Sequence, residues 1–323
     1  MKTTYCLLMT ATVVTLLASA PAFSESPSQQ EAKKLEIQTA QKAPSKTVVE
    51  AIESVRHSMV QIAVKLEPSQ MKGPGSPIRP LGSGFFIDSE GYVITARHVI
   101  HPDLTIALNQ LRVGLPMTSF GESQAKFTFT GSFQLVPVEV VDEDEKHDLA
   151  LLKVLQNPFK NQVRPMISVD GKDITPLIVS VSSVDPQRPK DGTQIAISGY
   201  PLPGQELITN VGYIASSQGI TQVQVPIPNA PPGFTIIDIL DVYYADVRVN
   251  HGNSGGPVYS VETGKIIGVA VAMNIAVVEL QGGKPYITPD THVPPYYNAG
   301  IALVVPIQYV LDLARKHNVS IQQ

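Results

Sequence analysis

The chain has 323 residues, a formal net charge of -4, 43% apolar and 16% charged residues, which suits globular cores in two modules of ordinary size. The mild acidity, with no block of Lys and Arg, gives no footing for nucleic-acid binding. The 27 prolines and 23 glycines call for many turns, as in an all-β protein.

Residues 1–22 read as a signal peptide. Lys2 precedes an apolar run from Cys6 to Ala18, and Ala20-Pro21-Ala22 is a small-x-small cleavage site. The run is short for a bilayer span, and cleavage is expected after Ala22. Cys6, the only cysteine, lies in this leader. The mature chain is therefore expected to have no disulfide, no thiolate nucleophile and no thiolate metal ligand. An exported chain of this kind fits a bacterial periplasm or the medium. The longest later apolar run, Ile266 to Val278, contains Asn274 and is too short to cross a membrane.

Residues 23–46 are rich in Ser, Gln, Lys and Glu and read as a disordered polar tether. A first module is expected over 47–160. Thr47-Val-Val-Glu50 has the form of a capping box, with Val48, Ile52 and Val55 on one helical face. Strands are predicted at Ser58–Val64, Gly82–Asp88, Tyr92–Thr95, Phe127–Thr130, Leu135–Val141 and Leu149–Val154. The proline- and glycine-rich stretch from Glu67 to Leu81 reads as a loop. Short strands with turns between them fit a closed barrel.

The weak periodicity from Gln156 to Thr175 marks a boundary, and a second module is expected over 161–323. Its predicted strands are Leu177–Val181, Thr193–Ser198, Leu207–Ile214, Gln222–Val225, Ile236–Val249, Gly256–Tyr259, Lys265–Ala272 and Gly300–Val305. Pro306 opens a closing helix over 306–317, with Ile307, Val310, Leu311 and Ala314 on one face.

Chemistry concentrates at Gly252-Asn253-Ser254-Gly255-Gly256-Pro257. The glycines remove Cβ atoms, so backbone N–H groups can turn toward one point. A serine there can attack a carbonyl while those N–H groups hold the oxyanion. Serine needs a base, and the base needs an orienting group. His98 sits at the end of a predicted strand and supplies an imidazole. Asp148 directly precedes the apolar strand from Leu149, which favours it over Asp142, Glu143, Asp144 and Glu145 as the orienter. The order His98, Asp148, Ser254 is one of the known orders for a serine triad.

On these residues, the chain resembles the chymotrypsin-fold serine peptidases, and most of all their HtrA/Deg branch. The matching segments are Gly82-Ser83-Gly84-Phe85, Ile94-Thr95-Ala96-Arg97-His98-Val99, His147-Asp148-Leu149-Ala150, Gly252 to Pro257, and Gly300-Ile301-Ala302 to Pro306. The resemblance covers roughly residues 80–315 and rests on several motifs in the right order. It implies an all-β protein of two six-stranded β-barrels, with a short N-terminal helix, a C-terminal helix and a cleft between the barrels.

The resemblance also implies roles. Ser254 would be the nucleophile, His98 the general base and acid, and Asp148 the orienter. The N–H groups of Gly252 and Ser254 would form the oxyanion hole. Ala270, Val271 and Ala272 would wall a pocket for a small or medium aliphatic side chain. Arg248 lies near the expected pocket floor. Pointing inward it would favour acidic side chains, but strand alternation can equally send it to solvent. Asn253 replaces the charged Asp of the digestive members, so their activation by a new amino terminus is expected to be missing.

His101 lacks a third ligand nearby and reads as a surface residue. No metal or cofactor is expected. His251 reads as an exposed loop residue that could also tune the turn beside it. Tyr200-Pro201-Leu202-Pro203-Gly204 reads as a structural turn. Pro226–Phe234 and Gln281–Tyr297 read as extra loops, and no PDZ domain is expected after the closing helix. The expected partners are protein or peptide substrates, hydrolysed through an acyl-enzyme. The alternatives are a proteolytically idle peptide-binding or chaperone-like protein on this fold, and an esterase using the same triad.

Overall fold

The computed structural model describes residues 45–323, except position 72 and the stretches 103–105, 117–132, 161–166, 170–171, 175–179, 203–205, 227–234, 278, 281–283 and 286–295. The signal peptide, almost all of the tether, the strand expected at Phe127–Thr130, most of that expected at Leu177–Val181 and most of the loop expected at Pro226–Phe234 lie outside the described residues.

Helix α1 (Val48–Arg56) starts as its sequence dictates. The Glu50 N–H donates to Thr47 Oγ1 at 3.3 Å, and the Thr47 N–H donates to Glu50 Oε2 at 2.8 Å. Ala51 and Val55 are buried beneath it.

Six antiparallel strands then close the first barrel: β1 (Met59–Lys65), β2 (Ile78–Phe86), β3 (Tyr92–Ala96), β4 (Leu111–Pro116), β5 (Phe133–Asp144) and β6 (Leu149–Val154). Around the barrel they run β1-β2-β3-β6-β5-β4. The short helix α2 (Arg97–Ile100) follows β3. Phe85, Phe86, Ile62, Ile94, Leu149 and Leu151 fill the core. Strand β4 is an addition to the sequence-based expectation. Leu111, Val113 and Leu115 are buried, but the run is short and Gly114 interrupts its alternation.

A small hairpin, β7 (Ile167–Val169) and β8 (Lys172–Ile174), precedes the second barrel. That barrel is built from β9 (Gln194–Gly199), β10 (Ile208–Pro226), β11 (Thr235–Asp246), β12 (Pro257–Ser260), β13 (Ile266–Val277) and β16 (Tyr296–Pro306). A second hairpin pairs β14 (Glu279–Leu280) with β15 (Lys284–Pro285), and β15 falls inside the stretch expected to be loop from Gln281. The barrel closes as β10-β11-β16-β13-β12-β9. The expectation of two closed six-stranded barrels is met. Strand β10 runs through the break expected between Ile214 and Gln222. It does so with register shifts between Ile214 and Ser216 and between Ser216 and Gly219, which absorb the small and polar residues there.

Strands β10 and β11 pair from Tyr213 opposite Asp246 out to Pro226 opposite Thr235. Strand β9 flanks β10 only as far as Tyr213, and β16 flanks β11 only from Tyr243. Among the described residues, the outer part of this pair is therefore a two-stranded ribbon.

Helix α3 (Ile307–Lys316) follows Pro306 and buries Ile307, Val310, Leu311, Leu313 and Ala314. It packs against β13 and β16 of the second barrel and β5 and β6 of the first. Polar contacts fasten it to the acidic run at the end of β5. His317 Nε2 lies 2.8 Å from Asp142 Oδ2, and the Tyr309 ring stacks on His147. The rest of the run is paired as well. Asp144 meets His147 at 2.6 Å, Glu145 meets Arg97 at 2.6 Å, and Glu143 meets both Arg97 (2.7 Å) and His101 (2.8 Å). No helix among the described residues is long and apolar enough to cross a membrane.

The barrels meet at Ser83, which is completely buried. Its N–H donates to Ser254 O at 2.9 Å, and its hydroxyl donates to Gly252 O at 2.6 Å. The same hydroxyl accepts from the Tyr200 N–H at 2.8 Å, and Ser83 O accepts from Thr95 Oγ1 at 2.7 Å.

Replacing Ser83 by Ala leaves the Tyr200 N–H and Gly252 C=O buried without their partner. Ser83→Ala is expected to lose about 1–3 kcal/mol of stability, read as a lower denaturant midpoint at unchanged slope. A second outcome follows from Asp144. Burial alone would raise its carboxyl, but the His147 side chain and backbone N–H outweigh that and hold it below the usual Asp range. A depressed carboxyl stabilises the fold above its unfolded value of about 3.9 and ceases to do so as pH falls through the folded value. The stability gap between the native chain and Asp144→Asn should therefore be full near pH 6 and close below about pH 4.

Candidate active site

Strand β3 delivers His98. Val99 and Ile100 turn inward and are buried, so the intervening geometry sends the His98 side chain out, where it is 48% exposed. The turn after β5 delivers Asp148, at a φ of 54°. Few non-glycine residues adopt that left-handed conformation, and Asp is among those that tolerate it.

Asp148 grips the start of α2 at three points. Its backbone O accepts from the Arg97 N–H at 2.9 Å, Oδ1 accepts from the His98 N–H at 2.9 Å, and Oδ2 lies 2.6 Å from His98 Nδ1. A carboxylate only accepts, so Nδ1 is the donor and Nε2 keeps its lone pair. The neighbouring acids are committed elsewhere, to Arg97, His101, His147 and His317.

Ser254 stands on a turn whose carbonyls are all held from behind. The Asn253 N–H donates to Asn250 O at 3.0 Å, and Gly252 in its third position has a φ of 98°, the pattern of a type II turn. A Cβ on Gly252 would fall 2.4 Å from Tyr200 O and 2.7 Å from Leu202 N, so only glycine fits. His251 O accepts from the Leu202 N–H at 2.7 Å, and Asn253 O accepts from the Gly256 N–H at 2.9 Å. A trans peptide directs its N–H opposite to its C=O. The N–H groups of Gly252 and Ser254 are therefore turned away from those anchors. The Gly255 N–H, which donates to Ala270 O at 2.8 Å, ties the turn to β13.

His98 and Ser254 line one cleft of about 310 Å³. Ala270, Val271, Ala272 and Met273 form one of its walls, and Val249, Asn250, His251 and Asn253 also line it. Arg248 is exposed and is not among the lining residues, whereas its neighbour Val249 is buried and is. The alternation of β11 persists beyond the strand end at Asp246 and sends the guanidinium outward. His251 is exposed but lines the cleft, and its carbonyl anchors the turn. Met273 and Val249 are additions to the expected lining, since alternation alone does not say which of Arg248 and Val249 faces inward. Tyr200 and Leu202 belong to the wall behind the turn, and Tyr200 packs edge-on against Phe133 with centroids 5.1 Å apart. His101 pairs with Glu143.

Ser254 thus shares a cleft with an imidazole whose Nδ1 lies 2.6 Å from a carboxylate. Comparisons with known proteins bear on the family. A model of the trypsin-like peptidase domain matches residues 82–269. A "Probable periplasmic serine endoprotease DegP-like" of Chlamydia pneumoniae is 29% identical over 217 residues, which cover 67% of this chain and 33% of the relative. "Protease Do-like 5, chloroplastic" of Arabidopsis thaliana is 26% identical over 231 residues, covering 71% of this chain and 57% of the relative. The chain thus spans between a third and somewhat over half the length of these two relatives. Among solved structures, the active form of the Rv3671c protease from M. tuberculosis aligns at a TM-score of 0.49 and 19% identity, covering 95% of this chain and 97% of that one. The family match takes in more than half of the sequence, and the chain belongs to the family of the trypsin-like peptidase domain.

Proposed function

We propose that this chain is an exported serine endopeptidase that cleaves protein or peptide substrates through an acyl-enzyme. Ser254 Oγ attacks the scissile carbonyl, and His98 Nε2 takes its proton and returns it to the leaving amine. Asp148 holds the imidazole in the required tautomer and stabilises its charged form. The N–H groups of Gly252 and Ser254 accommodate the developing oxyanion. Water then repeats the sequence and releases the acyl group. The observation that carries this reading is the 2.6 Å contact between His98 and Asp148 beside a cleft that His98 shares with Ser254.

The apolar wall of Ala270, Val271, Ala272 and Met273, with Val249, supports a preference for a small or medium aliphatic side chain on the acyl side of the cut. Export is supported by the charged, apolar and small-residue order of residues 1–22 and by the periplasmic naming of the bacterial relative.

A fluorophosphonate probe should label the exported protein at Ser254, and the amino terminus of the labelled chain should be Phe23. Ser254→Ala should abolish labelling, and Asp148→Asn should lower kcat about 10⁴-fold with the fold intact. Absence of labelling would leave an idle binding protein. Labelling with turnover of short esters but no cleavage of an unfolded protein would mark an esterase.

A peptide library should be cut after Ala or Val in preference to Asp or Glu. Arg248→Ala should leave that order unchanged, because its side chain stands outside the cleft. An acidic preference lost in Arg248→Ala would overturn the apolar reading of the pocket.

A further inference from the structure

Asp148 is held at a φ of 54°, a conformation that Asp tolerates at a cost and that its surroundings must hold in place. The residue directly before it is fixed on several sides. The His147 N–H donates to Asp144 Oδ1 at 3.1 Å, and His147 Nδ1 lies 2.6 Å from Asp144 Oδ2. The His147 ring lies flat on Tyr309, with centroids 3.7 Å apart and an interplanar angle of 16°. The side chains of His147 and Asp144 are only 14% and 19% exposed, so water competes weakly for these contacts. Tyr309 is itself anchored, since its hydroxyl donates to Asp241 Oδ2 at 3.4 Å and Arg188 pairs with that same carboxylate. The charged groups around the clasp include Asp144, with Lys316 near it, Lys146 near the tyrosine, and Asp241 with Arg188 behind it.

We infer that His147, clasped between Asp144 and Tyr309, is a positioning residue that sets the left-handed turn of Asp148 and so presents its carboxylate to His98. Helix α3 supplies one side of the clasp, so packing of the C-terminal helix is coupled to the orientation of the base. The inference rests on the triad reading given above. His147 reaches the reaction only through Asp148. When the clasp loosens, the carboxylate drifts from Nδ1 and the imidazole loses the partner that orients it.

The test uses the full chain with His147→Ala, Tyr309→Ala and Tyr309→Phe. Two quantities are read: kcat per site titrated with a fluorophosphonate, and the downfield NMR resonance of the His98 Nδ1 proton, assigned by its loss in His98→Gln. Both alanine variants should lose kcat roughly ten- to a hundred-fold per titrated site, while KM stays within about two-fold. The Nδ1 proton resonance should move upfield or vanish in both. Tyr309→Phe keeps the stacked ring and should match the native chain in both readouts. An unchanged resonance in the two alanine variants, with the native circular dichroism retained, overturns the inference. So does Tyr309→Phe behaving like Tyr309→Ala. If the native chain neither labels nor cleaves, the catalytic reading falls, and the Nδ1 proton resonance still decides whether the clasp orients Asp148.

Discussion

Ser83 is the constraint on which the site depends. It lies in the first barrel, yet three of its hydrogen bonds reach segments of the second. One is to the carbonyl of Ser254 and another to the carbonyl of Gly252, the two residues whose N–H groups are proposed to hold the oxyanion. The third comes from Tyr200, at the base of the segment that braces the same turn. The imidazole and carboxylate belong to one barrel and the hydroxyl to the other. The relative placement of the three groups is therefore only as good as this joint. Thr95 secures Ser83 in turn, from the strand that leads to His98. The segments that carry His98 and Ser254 are thus linked through one buried hydroxyl residue and its backbone.

Around that joint, space is as restrictive as bonding. A Cβ at Gly255 would stand 2.2 Å from Ser83 O, and one at Gly82 would stand 2.8 Å from the Val99 methyls and 3.0 Å from Ser254 O. Gly199 is packed against the buried Asn253, the residue before Ser254. The glycines that announce the nucleophile in the sequence therefore serve two ends. They give the backbone its positive φ angles, and they let two barrels approach to backbone contact.

Much of the site was legible because its chemistry is written in local strings. Gly252 to Pro257, Ala96-Arg-His98 and His147-Asp148-Leu each combine a reactive residue with the neighbours that shape its backbone. The capping box at Thr47 and the apolar face of the closing helix were legible for the same reason, since their partners lie three or four residues away. What escaped depends on distant contacts. Ser83 sits within a recognised string, but nothing local says that its hydroxyl reaches residue 252. Strand β4 is decided by its pairing with β1 and β5 more than by its own short, glycine-interrupted pattern. The break expected in β10 failed because its small and polar residues are accommodated by register shifts against β11, which a single-strand pattern does not display. The outward course of Arg248 was a choice between two faces that alternation alone left open.

The paired strands β10 and β11 carry one further implication. Beyond Val242 no other described strand borders them, so the backbone rims there offer a template to any extended polypeptide. Pro226 ends β10 in that rim and contributes no N–H. A neighbouring strand laid along it would therefore meet one position at which no ladder bond can form.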